Sequence, residues 1–369
     1  MKRRHFLEAI ALSTASLGLG QVWSAPKLKS NLDVLVLGGT NFLGPALVNA
    51  LVKNGHSVTL FNRGLTNPDM FPKLPLIRGD REKGKQAYIP LQKDKWDVVI
   101  DVWPQHSKLV DEATLELQSN TKHYIFVSSV AVYQDFVTPG RSEDDPVLRL
   151  PEDKTTWGYS EEKTAAESFV KTRFPDKHTI LRPGPIKGWR DPAYDLLYWL
   201  LKLEKGGDIL APGIGEDPIQ FIDVKDVANF AVYSAENNIK GIYNCVGPEP
   251  GTLQWRSFLN RAKSHLKSES KLYWSNKEFL ENQKVYAWDS LPLWAPVSDD
   301  YFMQVSNKKA MANGFAYTPI EQTIDDCLLW HKTHGKTDVV FGEGEHPVGI
   351  TKQKEIQVIS LLKQRQTRD

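Results

Sequence analysis

Short apolar runs alternate with longer stretches of helical spacing through the first half of the chain, a pattern that predicts a parallel sheet covered on both faces. Asp33-Val34-Leu35-Val36-Leu37 is the first apolar run, and residues 43–54 follow it with helical spacing that Gly55 ends. Residues 57–61, 74–77, 96–102 and 123–127 predict further strands, with a helix over 105–118 between the last two. Residues 178–181 predict a sixth strand, stopped by Arg182-Pro183-Gly184. Right-handed crossovers between parallel strands then give an α/β fold with a doubly wound parallel sheet.

After Pro183 the texture changes, with Gly, Pro, Trp and Tyr more frequent and the strand–helix repeat lost. Residues 219–224 and 241–246 predict strands that return to the first lobe or border it. Residues 254–266, 306–312 and 320–334 predict helices. The expected organisation is a dinucleotide-binding domain over 31–185 with return segments near 219–246. A smaller, mixed substrate lobe occupies mainly 186–334, built from 189–217 and about 248–317. Residues 335–369 form a tail with a Gly-rich loop and a final helix over 353–364. No internal repeat or low-complexity tract interrupts this order.

The amino terminus has a different character. Lys2-Arg3-Arg4-His5-Phe6-Leu7 supplies a basic start, and residues 9–20 are apolar and uncharged. That stretch is too short to span a bilayer as a helix, which takes about 20 apolar residues. Val22-Trp23-Ser24 offers small residues for a signal peptidase. Paired arginines followed by Phe-Leu resemble the twin-arginine export signal, with Glu8 a departure from its usual lysine. The expectation is a leader over residues 1–24, the twin-arginine export machinery as partner, and a periplasmic or exported mature protein. No later segment is apolar enough to anchor it.

Removing the leader takes away Lys2, Arg3, Arg4 and Glu8, which moves the formal charge from +1 to about −1. So balanced a chain offers no field for a nucleic-acid backbone or an acidic membrane, and no nucleic-acid partner is expected. Two cysteines, Cys245 and Cys327, are too few for a disulfide framework or a zinc site, and no metal is expected. Both sit in apolar runs that predict buried packing, while an oxidising compartment permits a bridge between them.

The first strand runs into Gly38-Gly39-Thr40-Asn41-Phe42-Leu43-Gly44. A glycine turn between strand and helix lets the backbone approach a pyrophosphate, and the helix start offers N–H groups and a positive dipole end to it. This is the nucleotide-binding turn of a Rossmann sheet, with Asn41 standing where a middle glycine is usual; asparagine tolerates left-handed backbone. At the end of the second strand stands Asn62 rather than an acidic ribose-binding residue, and Arg63 follows it. Arg63 suits a 2′-phosphate, so the cofactor is NAD or NADP. Asp80, after the third strand, is a candidate partner for the adenine amino group.

Tyr159 and Lys163 stand four apart on a predicted helix, hence on one face. An ammonium beside a phenol favours the phenolate and lowers its pKa towards that of a proton shuttle. Lys163 is also placed to hold the nicotinamide ribose. Ser128 and Ser129 end the fifth strand, where parallel sheets bind ligands, and a hydroxyl there can hold a substrate oxygen as its charge changes.

The ordered set of glycine turn, strand-end serine and Tyr-x-x-x-Lys resembles the short-chain dehydrogenase/reductase superfamily in its extended epimerase/dehydratase branch. The resemblance covers residues 32–334. Ser128 to Tyr133 matches the branch's Ser-Ser-x-x-Val-Tyr, which implies that Ser129 is the catalytic hydroxyl and that Tyr159 and Lys163 are the active-site pair. Leu181-Arg182-Pro183-Gly184 matches the segment near the nicotinamide, and Gln220 to Asp226 matches a segment returning towards the active site. The resemblance implies cofactor contacts from Gly38, Thr40, Asn41, Phe42, Leu43, Gly44, Arg63, Asp80, Ser128, Tyr159, Lys163 and Pro183. Asn41 and Asn62 depart from the family pattern and bring the chain nearer its atypical members, some of them linked to RNA. Val130-Ala131 stands where sugar-nucleotide dehydratases carry Asp-Glu, which argues against their elimination mechanism.

The resulting expectation is Tyr/Lys/Ser chemistry at a secondary alcohol of a carbohydrate-like substrate, with the cofactor retained and the reaction redox-neutral. Net dehydrogenation or reduction, and non-catalytic nucleotide or RNA binding, are the alternatives. Trp189, Tyr194, Tyr198 and Trp199 are aromatic candidates for a sugar ring, at least half of them expected to be packing instead.

Overall fold

The computed structural model describes residues 31–102, 106–335, 339–343 and 348–366. The expected leader, Gln105 and part of the Gly-rich tail loop lie outside the described residues. The strands are β1 (Asp33–Leu37), β2 (Ser57–Asn62), β3 (Leu76–Arg78), β4 (Trp96–Asp101), β5 (Thr121–Val127), β6 (His178–Pro183), β7 (Ile186–Lys187), β8 (Asp208–Leu210), β9 (Ile222–Asp223), β10 (Gly241–Cys245) and β11 (Lys271–Tyr273). The helices are α1 (Leu43–Lys53), α2 (Ser107–Leu117), α3 (Tyr159–Arg173), α4 (Asp195–Lys205), α5 (Val224–Glu236), α6 (Trp255–His265), α7 (Lys277–Asn282), α8 (Lys308–Ala312), α9 (Ile320–His334) and α10 (Lys352–Gln366).

Seven strands form one sheet in the order β10-β6-β5-β4-β1-β2-β3, and its neighbouring strands pair in parallel. The chain winds outward from β1 through β2 to β3, then crosses back to β4 and outward the other way. Its direction reverses between β1 and β4, where parallel sheets open a crevice at their carboxyl ends. The doubly wound α/β expectation therefore holds.

Burial on both faces explains the continuous apolar strands. Val34 and Val36 of β1 pack with Leu47 and Val48 of α1 and Val227 of α5, while Leu35 and Leu37 pack with Val110 of α2 and Val170 of α3. The strand over 74–77 starts later than expected because Pro75 has no N–H to give the ladder; only its carbonyl accepts, from the Leu60 amide.

The return segments differ in kind. β10 joins the main sheet beside β6, whereas β9 pairs only with β7 in a two-stranded sheet of its own. The expected strand over 219–224 shortens because Asp223 caps a helix, its carboxylate accepting from the Lys225 amide at 2.8 Å. Around them the smaller lobe has its own core of Trp199, Leu210, Trp255 and Trp294, which also buries Val358 and Ile359 of α10. Among the described residues, no helix is long and apolar enough to cross a membrane. Cys245 and Cys327 are both buried and unpaired, and burial pushes both thiol pKa values up, that of Cys327 to about 12.

Candidate functional site

A cleft of about 820 Å³ opens over the carboxyl ends of β1, β5 and β6. One wall is the glycine turn. Gly38 and Gly39 have φ of 109° and 97°, a region that side chains avoid. Gly44 lies behind the turn and touches it: a Cβ there would stand 2.6 Å from the Gly39 carbonyl carbon. Only glycine lets α1 begin so close to β1. Phe42 precedes the helix with φ of 40°, no side chain caps the helix start, and its first turn holds no acidic residue. Its amino-terminal end thus faces a wall of the cleft without a competing carboxylate, and the turn fits a pyrophosphate.

Thr40, Asn41, Phe42 and Leu43 line this end together with Arg63. Asn62 has a role that the sequence did not reveal. Its Nδ2 donates to the Gly38 carbonyl at 2.8 Å, and its Oδ1 accepts from the Gly64 amide at 2.8 Å. It fastens the loop after β2 to the glycine turn. Asp80 does not reach the lining of this cleft; its carboxylate caps a short helical turn by accepting from the Glu82 amide at 3.2 Å.

At the other end Ser129, Tyr159 and Lys163 come together with Pro183. Ser129 follows β5 in extended backbone and its Oγ accepts from the Ala131 amide at 3.1 Å, starting a turn over Val130–Val132. α3 starts at Tyr159, where Glu161 reaches back to the Gly158 amide at 3.0 Å. Glu161 and Glu162 in its first turn and Lys171 and Arg173 in its last both match the helix dipole. Lys163, one turn on from Tyr159, is buried and donates to the Val127 carbonyl at 2.8 Å, its Nζ 5.7 Å from the Tyr159 ring centre.

The electrostatics depart from the expected pattern. Burial raises the Tyr159 phenol above its ordinary pKa, and what opposes that rise is a hydrogen bond from Ser129 rather than the lysine. Burial pushes the Lys163 ammonium well down, opposed by the carboxylates of Asp101 and Glu167. The spacing brought the pair together, but the burial of Lys163 rather than the pairing decides the protonation of its ammonium.

Ser128 also lines the cleft, beside Ser129. Its Oγ donates to Glu167 at 2.7 Å, and Glu167 receives the Arg182 guanidinium through bonds of 2.9 and 2.8 Å. This pair is almost completely buried, and the Arg182 guanidinium also lies 4.9 Å from the Tyr133 ring centre. It anchors the ends of β5 and β6 to α3. Lys187 lies between Asp191 and Asp195, at 3.3 and 2.9 Å, and all three line the cleft.

Of the four aromatic candidates, none lines the cleft. Tyr198 and Trp199 are fully buried in the smaller lobe, Tyr194 meets the His331 ring, and Trp189 meets Trp330. Trp288 and Phe302, 5.7 Å apart edge to face, line it instead. They stand in a stretch with little regular structure, so no periodicity marked them.

Residues 34–245 match the NAD dependent epimerase/dehydratase family. The chloroplast stem-loop binding protein of 41 kDa b from Arabidopsis thaliana is 29% identical over 240 residues, which is 59% of this chain and 59% of that protein's own length. The epimerase family protein SDR39U1 of Homo sapiens is 27% identical over 237 residues, covering 60% of this chain and 76% of that one. Among solved structures, the Bordetella bronchiseptica enzyme WbmH in complex with NAD+ aligns with a TM-score of 0.60 at 15% identity, covering 83% of this chain and 100% of that one. The UDP-glucuronic acid 4-epimerase from Bacillus cereus in complex with NAD aligns at 0.58 and 16% identity, with the same coverage. At such identity these two likenesses speak for the fold.

Proposed function

The chain belongs to the NAD dependent epimerase/dehydratase family, and from that premise we propose that it is a nicotinamide-dependent enzyme acting on a secondary alcohol of a carbohydrate-like substrate. The observation that carries this reading is convergence: the glycine turn, Ser129, Tyr159 and Lys163 line one cleft. Bound along the turn, a dinucleotide supplies reversible hydride acceptance at its nicotinamide. Tyr159 takes the proton of the substrate hydroxyl and later gives one back. Ser129 hydrogen-bonds that oxygen as its charge changes, and also steadies the Tyr159 phenolate. Lys163 holds the end of β5 through Val127 and keeps its nitrogen near the phenol ring. Trp288 and Phe302 offer apolar faces to a sugar ring. The sugar 4-epimerases among proteins of similar fold support a carbohydrate-like substrate.

We place the mature protein outside the cytoplasm, exported folded by the twin-arginine machinery, on the strength of Lys2 to Leu7 and the uncharged stretch after it. No nicotinamide pool renews a released cofactor there. A retained cofactor and a redox-neutral change such as epimerisation suit that setting; net dehydrogenation needs a second substrate to renew it. Replacing Arg3 and Arg4 together by lysine blocks export if this reading holds, and undiminished export of that variant contradicts it.

The stem-loop-binding relative favours a second reading, a binding protein that kept the fold without catalysis. Near-neutral charge and the assembled Ser129, Tyr159 and Lys163 weigh against it. Tyr159→Phe separates the two. Catalysis predicts a fall in turnover of at least about a hundredfold, whereas unchanged function supports binding alone.

A further inference from the structure

Beyond Pro183 the lining of the cleft carries charge that neither the dinucleotide nor the Tyr159 chemistry uses. The segment after β6 brings Lys187, Asp191 and Asp195 into that lining. Lys187 stands in β7, whose pairing with β9 sets it opposite Asp223. Asp191 lies in the turn that follows, its amide donating to the Gly188 carbonyl at 3.2 Å and its Oδ1 accepting from the Ala193 amide at 2.9 Å. Asp195 begins α4, directly after Tyr194 in left-handed backbone with φ of 61°. A strand, a turn and a helix start therefore set two carboxylates on one ammonium.

The three charges do not balance. Lys187 donates to Asp195 at 2.9 Å and stands 3.3 Å from Asp191, so one cation meets two anions. The side chains of Lys187 and Asp191 are each only 5% exposed. Burial would lower the Lys187 pKa, but the two carboxylates outweigh it and hold the ammonium charged. Asp223 has partners of its own, accepting from the Thr323 hydroxyl at 2.7 Å with the Lys225 ammonium 3.8 Å away.

Acceptor capacity is left over as well. Among the described residues, the buried Oδ1 of Asp195 has no hydrogen-bond partner. Oδ2 of Asp191, likewise buried, meets Lys187 as an ion pair rather than as a hydrogen bond. Carboxylate oxygens in that state are unfavourable until a donor reaches them. The other cations of the described lining are Arg63, beside the glycine turn, and Lys163, which donates to the Val127 carbonyl.

We infer that Lys187, Asp191 and Asp195 form a substrate-recognition site that takes hydroxyl or ammonium donors of an unphosphorylated sugar and rejects a sugar phosphate. One uncancelled negative charge beside the substrate attracts an ammonium, accepts from a hydroxyl and repels a phosphate, while the lysine within reach is already committed to two carboxylates. Trp288 and Phe302 line the same cleft and receive the apolar face of the ring. In substrate class the chain thereby parts from the UDP-sugar 4-epimerases of similar fold. The inference rests on the carbohydrate reading of this cleft, but not on the proton transfer assigned to Tyr159.

The test is a calorimetric titration of the full chain saturated with NAD, so that the pyrophosphate turn is filled. The probes are glucose, galactose and mannose, each as methyl glycoside, as 2-amino sugar and as 1-phosphate. The expected result is that at least one sugar binds as glycoside and as amino sugar, and at least about tenfold more weakly as 1-phosphate. The amino form should lose most affinity as salt rises. Asp195→Asn should narrow the gap, weakening the amino sugar and strengthening the 1-phosphate. A 1-phosphate that binds the wild-type chain as tightly as its glycoside overturns the inference without any variant. A panel in which no unphosphorylated sugar binds overturns it too, as does a gap unchanged in Asp195→Asn. Binding in the expected order without turnover leaves this inference standing while the catalytic reading fails. Preferred turnover of a 1-phosphate does the reverse.

Discussion

Glu167 answers for more of the site than any single residue named from the sequence. It joins Ser128 of the serine pair to Arg182, the residue before the cleft-lining Pro183, with almost no solvent around the ion pair. Removing its charge strands a buried guanidinium. Glu167→Gln is expected to lower unfolding free energy by about 3 kcal/mol, measured by urea denaturation; a change below about 1 kcal/mol contradicts the account. Ser129 acts on Tyr159 in the opposite direction to burial. The phenol of the free protein should therefore titrate above its ordinary value of 10.0, and Ser129→Ala should raise it further. The difference between tyrosinate absorbance titrations of each protein and its Tyr159→Phe counterpart reads this directly. In the sign that matters for rate, the phenolate limb of any pH profile moves to higher pH in Ser129→Ala.

Among elements, β1, the glycine turn and α1 form one unit whose close approach depends on Gly44. Gly44→Ala forces the helix off the turn. It should destabilise by about 1–3 kcal/mol and weaken dinucleotide binding together with stability, both measured on one preparation by calorimetry and thermal unfolding. Elements like this were legible in the sequence because their signals are local: an apolar run, a glycine, a helical repeat. α9 was legible end to end for the same reason. What was not legible depends on partners far away in the chain. Asn62 reads as a missing acid until the Gly38 carbonyl, 24 residues earlier, lies beside it. Glu167 reads as one more helix-surface charge until Arg182 closes on it. Trp288 and Phe302 carry no periodicity, while Tyr198 and Trp199, two of the aromatic candidates expected in part to be packing, are core. α5 was hidden for a different reason, since Asp223-Val224 ends an apolar run and also begins a helix, and the cap is the signal that would have found it.

At the scale of the whole molecule, a sheet core and a separate aromatic core bracket one cleft, and the two cysteines are divided between them. Cys245 and Cys327 are buried, with thiol pKa values raised, so an oxidant in the surrounding solution does not reach them in the folded protein. Both thiols should resist a thiol reagent in the native protein and react with it on unfolding; rapid native labelling, or no free thiol after unfolding, contradicts this. The central claim is that the cleft holds a nicotinamide dinucleotide at which Tyr159 moves the substrate proton. The most direct measurement is the absorbance and mass spectrum of natively purified protein, wild type and Tyr159→Phe, before and after mixing with candidate sugars. The account predicts retained dinucleotide in both proteins, with a sugar-dependent change in reduced-nicotinamide absorbance in the wild type alone. Protein free of nucleotide that needs millimolar additions to show any, or an identical response from Tyr159→Phe, would contradict it.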